Sequence, residues 1–106
     1  VLHRVPQKGE PVIVGIGASL GGYHAESAAT FVCGDLTADQ RRVMQAMADA
    51  NDATRDALAR HLPCSDVNEA ALAPIRAAGL GDAIRRRTRH AMGAEGHEAP
   101  WLSIGD

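Results

Sequence analysis

The fold is decided in the stretch Pro11-Val12-Ile13-Val14-Gly15-Ile16-Gly17, continued by Ala18-Ser19-Leu20-Gly21-Gly22 and Tyr23-His24-Ala25-Glu26-Ser27-Ala28-Ala29-Thr30-Phe31. The first run is β-branched and bounded by proline and glycine, which predicts a buried strand. Ser19 to Gly22 supplies a turn whose two glycines enter positive φ without steric cost. Tyr23 to Cys33 reads as a second strand. Its alternation puts Tyr23, Ala25, Ser27, Ala29 and Phe31 on one face, and His24, Glu26, Ala28 and Thr30 on the other. The two strands make a hairpin, and Gly34-Asp35-Leu36 breaks it.

Before the hairpin, Gln7-Lys8-Gly9-Glu10 is polar and carries a turn signal. After it, Thr37-Ala38-Asp39-Gln40 matches a capping box, with Thr37 as N-cap and Gln40 reaching back. A long helix is expected from there to about Leu62. Val43, Met47, Ala50, Thr54, Leu58 and Leu62 recur at steps of three and four, a core-facing stripe. Pro63 ends it, lacking an N–H and disfavouring helical geometry in the residue before. Ser65 is expected to cap a second helix with Asp66 in its first turn, Val67, Ala71, Leu72 and Ile75 on its apolar side, and Gly79 just past its end. Pro74 inside that pattern predicts a kink or an early stop. Thr88 to Gly93 is open between strand and loop, and Gly96-His97-Glu98-Ala99-Pro100 reads as loop. The whole is an α+β arrangement, an antiparallel hairpin sheet packed with two helices.

The 106 residues suit one small domain. Hydrophobic residues make up 45%, but twenty of them are alanine and aromatics are 3%, so the core is expected to be built largely from methyl groups. Eleven basic against thirteen acidic residues, a net charge of −2, give no general attraction to nucleic acid. No apolar run approaches the ~20 residues that cross a bilayer, and no secretion signal opens the chain. Cys33 and Cys64 form no CxxC pair, so a reduced, cytoplasmic setting is expected. Val1 stands where a methionine would begin a chain, and Trp101, Leu102 and Ile104 crowd the Gly105-Asp106 end. Both features suggest a piece of a longer protein.

Arg89-His90-Ala91-Met92-Gly93-Ala94-Glu95-Gly96-His97-Glu98-Ala99-Pro100-Trp101-Leu102 is where chemistry is most readable. Two histidines lie seven apart with two glycines between them. Imidazole serves both as metal ligand and as acid or base near neutral pH, and glycine lets backbone approach a site closely. On pattern alone, a functional and an ordinary structural reading weigh equally. Other candidates have plainer explanations. Cys33 reads as a small buried hydrophobe, His24 and Glu26 as a solvent-facing pair, and His61 as a cation near a helix C-terminus. Arg85-Arg86-Arg87-Thr88-Arg89 reads as a solvated basic run. Gly17, Gly21 and Gly22 precede a hairpin rather than a helix, so they form no dinucleotide fingerprint.

Three stretches together resemble the pita-bread metallopeptidases, which include Xaa-Pro aminopeptidase, prolidase, methionine aminopeptidase and their non-peptidase relative creatinase. Gly9 to Phe31 resembles the family's GDxVxxDxG…GYxxDxxRTF hairpin, the Gln40 helix follows in order, and His90 to Pro100 resembles HGIGLEGHEAP. The resemblance covers nearly the whole chain. It implies a partial pita-bread catalytic domain over residues 1–106, lacking the later strands that carry two glutamate ligands. It also implies a dinuclear site holding Mn, Co or Zn, in which Glu26 and His90 match metal ligands. His97 matches a histidine that hydrogen-bonds substrate, and His3 matches one on the substrate side. Gly15 stands where the family has its first aspartate ligand and has no side chain to offer. The resemblance implies a parent that is a homodimeric hydrolase of short peptides or related amides, with no nucleic-acid or membrane partner expected. The chain alone, holding two ligands of about five, is expected to be inactive and to bind metal more weakly than roughly 10 μM. Two rivals share the fold: a metal-free, creatinase-like hydrolase of a small C–N bond, favoured by Gly15, and a non-catalytic interaction domain, disfavoured by the paired histidines.

Overall fold

The computed structural model describes residues 3–85 and 88–102. Two strands, β1 (Pro11–Leu20) and β2 (Tyr23–Val32), pair antiparallel in unbroken register from Pro11 opposite Val32 to Leu20 opposite Tyr23. Gly21 and Gly22 close the hairpin with φ of 59° and 86°. Two positive values in succession match the right-handed twist of the flanking strands. The register sets Ile13, Gly15, Gly17 and Ser19 on one face with Thr30, Ala28, Glu26 and His24.

The burial expected for β1 is not found. Ile13 is 77% exposed and Ile16 67%, and β2 is exposed along almost its whole length. β-branched residues promote strand pairing, but burial needs a covering layer, and the described residues supply none over this hairpin. Cys33, read as a buried hydrophobe, is exposed for the same reason.

Helix α1 (Ala38–Ala59) begins with the expected capping box, Thr37 Oγ1 accepting from the Gln40 amide and Gln40 Oε1 accepting from the Thr37 amide. The Gln40 side chain also donates to the Gly9 carbonyl at 2.8 Å, which ties the helix start to the turn ahead of β1. The buried face of α1 is Ala46, Ala50, Thr54 and Ala57, whereas Val43, Met47 and Leu58 of the expected stripe are 40%, 52% and 56% exposed. Small side chains permit a close approach to the second helix, and that contact displaces the larger residues to the flank.

The helix stops at Ala59, before the expected Leu62. His61 takes φ of 55°, its amide bonds to the Leu58 carbonyl, and the Leu62 amide bonds to the Ala57 carbonyl. These bonds satisfy two terminal carbonyls and swing Leu62 back onto the core beside Ala57, Val67 and Leu102. Pro63 therefore follows the stop rather than causing it. Helix α2 (Cys64–Ala77) has Pro63 at its N-cap position and no side-chain cap bond, so Ser65 lies inside the helix rather than capping it. It runs through Pro74 to Ala77 and ends with the same paired bonds around Gly79, whose φ is 74°. Leu72, Val67 and Thr54 are the largest fully buried side chains.

A 3₁₀ turn (Gly81–Ala83) follows, and then a second antiparallel hairpin of β3 (Arg89–Ala91) and β4 (Glu98–Leu102), with a bulge between His90 and Ala91. The segment read as loop from Gly96 is thus partly strand. Leu102 sinks into the helix core, and Thr88 Oγ1 donates to Oδ1 of buried Asn68 at 2.7 Å, fixing this hairpin to α2. The chain is α+β, two hairpin sheets and two helices, with the second hairpin packed on the helices. Arg86 and Arg87 of the basic run, and Val1, Ile104 and the Gly105-Asp106 end, lie outside the described residues. Among the described residues no helix is long and apolar enough to cross a membrane.

Candidate metal centre

Glu26 reaches the site from the middle of β2, His90 from β3 and His97 from the residue preceding β4. One ligand-capable atom from each lies within 4.8 Å of the others. The sequence reading counted two donors in this chain; folding brings a third imidazole beside them. The His90 and His97 rings sit 4.1 Å apart between centroids, and Trp101 lies behind them at 6.0 and 6.4 Å. His90 is half-buried, while Glu26 and His97 are exposed.

The hydrogen bonding of His90 prepares it as a ligand. Its Nδ1 lies 2.9 Å from the Ala91 carbonyl oxygen, which can only accept, so Nδ1 carries the proton and donates. Nε2 faces Glu26 Oε1 at 3.6 Å. A proton or a metal ion between this nitrogen and the carboxylate makes the contact favourable. Zinc–ligand bonds of about 2.0–2.2 Å place neighbouring donors roughly 3–3.5 Å apart, so this spacing and donor set fit one divalent ion.

The loop between the histidines is braced by its own backbone. Glu98 folds back so that Oε1 accepts from the Glu95 amide at 2.6 Å, and the Gly93 amide donates to the Glu95 carbonyl at 3.0 Å. A Cβ at Gly93 would lie 3.1 Å from Glu98 Oε2, so a larger residue there would push the Glu98 carboxylate by a few tenths of an ångström. Gly96 has open space around it. Neither the Glu98 brace nor the Ala91 carbonyl was read from sequence; the adjacency of Glu98 to His97 was the available signal. His24, read as a solvent-facing residue, is exposed and also meets the Gly93 carbonyl with both its amide, at 2.8 Å, and its ring Nδ1, at 3.2 Å.

His3 is exposed and stands outside the three-residue group. Gly15 shares the face of Glu26, one step along the diagonal of the ladder, with nothing within 4 Å of where its Cβ would be. A shallow pocket lined by Gly17, Ser19, His24, Glu26, Met92 and Gly96 opens beside the carboxylate.

Comparison with known proteins places this geometry. The profile of metallopeptidase family M24 matches residues 1–106. The probable dipeptidase PepE of Mycobacterium bovis is 30% identical over 104 residues, which is 97% of this chain and 28% of the relative. A Xaa-Pro dipeptidase of Lactobacillus delbrueckii subsp. lactis is 29% identical over 94% of the chain and 27% of its own length. Among solved structures, a dipeptidase from Pyrococcus horikoshii superposes with a TM-score of 0.87 at 27% identity, covering 96% of this chain and 29% of that one. The chain thus spans a little over a quarter of the length of these relatives.

Proposed function

The chain belongs to metallopeptidase family M24, and from that premise we propose that it supplies one side of the metal centre of a Xaa-Pro-type peptidase acting on short peptides in the cytoplasm. The convergence of Glu26, His90 and His97 within 4.8 Å carries the reading. Glu26 and His90 hold a divalent ion of the Mn, Co or Zn class, a carboxylate and a neutral imidazole being suitable donors for all three. When bound, such an ion lowers the pKa of a coordinated water and polarises a scissile carbonyl.

The remaining roles fall to side chains. The Ala91 carbonyl keeps the His90 proton on Nδ1, so Nε2 stays available to the ion. His97, exposed beside His90, donates a hydrogen bond to the substrate carbonyl as negative charge develops on its oxygen. Trp101 closes the rear of both rings. Three donors on two hairpins do not make the five-ligand dinuclear centre that the resemblance implies, so this chain alone has no peptidase turnover. The parent assembles as a homodimer with peptide as its substrate.

The test is calorimetric titration of Mn, Co and Zn into the full 106-residue chain and into Glu26→Ala, His90→Ala and His97→Ala. The first two variants are expected to abolish binding. His97→Ala is expected to keep it within a few-fold, which separates a substrate-facing imidazole from a third ligand. Binding that survives His90→Ala would remove the metal from these residues.

Gly15 favours a second reading. With no donor at that position, His90 and His97, 4.1 Å apart, could act as acid and base on a small C–N bond without metal. Absence of binding in the unmodified chain is the result that would favour it.

A further inference from the structure

We propose that His24 is a positioning residue that locks the strand bearing Glu26 to the loop bearing His90 and His97. The proposal rests on the metal-centre reading for its purpose, but its geometry stands independently. In a two-residue hairpin closed by Leu20 and Tyr23, the next pair, Ser19 and His24, directs its amides and carbonyls away from the partner strand. The His24 amide therefore lies on the open edge of β2, and there it meets the Gly93 carbonyl at 2.8 Å. The ring adds a second contact to the same oxygen, Nδ1 at 3.2 Å. Because a carbonyl only accepts, Nδ1 carries the proton. One carbonyl with two lone pairs thus receives two donors from one residue.

The consequence lies in what each end holds. Glu26 is two residues along β2 from His24, on the same face. Gly93 sits between His90 and His97; its amide donates to the Glu95 carbonyl, and the Glu95 amide donates to the Glu98 carboxylate. Beside the three-residue group itself, the two contacts at His24 tie the first hairpin directly to the second. The first hairpin is otherwise exposed and the second is anchored to the helices through Thr88 and Leu102. The clamp joins the two strands that carry the carboxylate and the imidazoles directly, so it contributes to the donor spacing on which an ion depends.

Two variants separate positioning from bulk stability. Asparagine places an amide nitrogen near the position of Nδ1, so His24→Asn keeps the donor while His24→Ala removes it and leaves the backbone contact. In titration of Mn and Zn into the full chain, His24→Ala is expected to weaken binding roughly five- to ten-fold, the worth of about one hydrogen bond, and His24→Asn to restore it. Thermal midpoints of both variants should stay together, since an exposed residue on an uncovered strand contributes little to the core. Equal affinity for wild type and His24→Ala would overturn the proposal, as would a loss not restored by asparagine. Should the unmodified chain bind neither ion, the metal reading fails, and amide resonances of the metal-free protein decide the clamp. Shifts at Gly93, Glu95 and His97 in His24→Ala that return in His24→Asn uphold it, and unchanged resonances refute it.

Discussion

The orientation of one imidazole ring organises the site. With the His90 Nδ1–H directed to the Ala91 carbonyl, Nε2 faces the Glu26 oxygen across 3.6 Å, a contact that a proton or a metal ion would join. Gly15 then becomes the residue whose replacement is most informative. Its missing Cβ would project onto the Glu26 face into open space, and its φ lies outside the region that side chains avoid. Diagonal neighbours on a ladder lie about 7–8 Å apart, within which two carboxylates can reach one ion. Gly15→Asp is expected to tighten Mn or Zn binding at least about ten-fold, or ~1.4 kcal/mol, with Gly15→Ala as the control that changes backbone freedom without adding a donor. Calorimetry on both variants checks this, and equal affinity would show that position 15 faces no ion. The two histidines are singled out by their spacing and the glycines between them, and Glu26 only by the family resemblance, since its alternation alone reads as solvent-facing. His24 could not be singled out, because its partner is a main-chain carbonyl 69 positions away.

At the level of elements, a helix boundary is legible where its own residues carry the signal and is missed where they do not, as at Pro63 and Ser65 ahead of α2. The capping box at Thr37 was visible because both partners lie within four consecutive residues. The end of α1 was misplaced because Pro63 is a conspicuous breaker, whereas the operative stop is a left-handed His61 that carries no residue signature. The same geometry at the end of α2 uses Gly79, which was legible. A non-glycine residue in that conformation costs about 1–2 kcal/mol, offset in part by the greater freedom of an unfolded glycine. His61→Gly is expected to stabilise the chain by about 0.5–1 kcal/mol and raise Tm by roughly 2–6 °C, read by thermal melting. His61→Val should lower it, since β-branching makes the conformation worse. The stripe on α1 misled for a different reason. Val43, Met47 and Leu58 obey helical periodicity, but α2 packs on the neighbouring alanines, and which side of a broad apolar arc is chosen depends on the partner.

Over the whole molecule, stability is unevenly placed. The helices and β4 share a small core, while the first hairpin presents Val14, Ile16, Leu20, Tyr23 and Phe31 on its uncovered side, each more than two-fifths exposed. Apolar surface beside open strand edges favours association. The chain is expected to sediment above its 11.1 kDa monomer mass at micromolar concentration, and Ile16→Lys to shift it toward monomer. A monodisperse wild-type monomer with a sharp unfolding transition would contradict this. The fold class was readable because hairpin and helix signals are local. The exposure of β1 was not, because a run of valine and isoleucine specifies pairing and leaves its cover unspecified.

The tight Gly21-Gly22 turn also governs how this chain can change in length. Because β1 and β2 stay in unbroken register down from that turn, the facing of Glu26 is counted off from it residue by residue. One residue inserted between Tyr23 and Glu26 would reverse the parity of the strand and carry the carboxylate to the opposite side of the ribbon. Two would restore the side but displace it by about 6.8 Å along the strand, out of reach of either imidazole. A point substitution here can be graded in its effect, whereas an insertion or deletion in this short interval has no mild form.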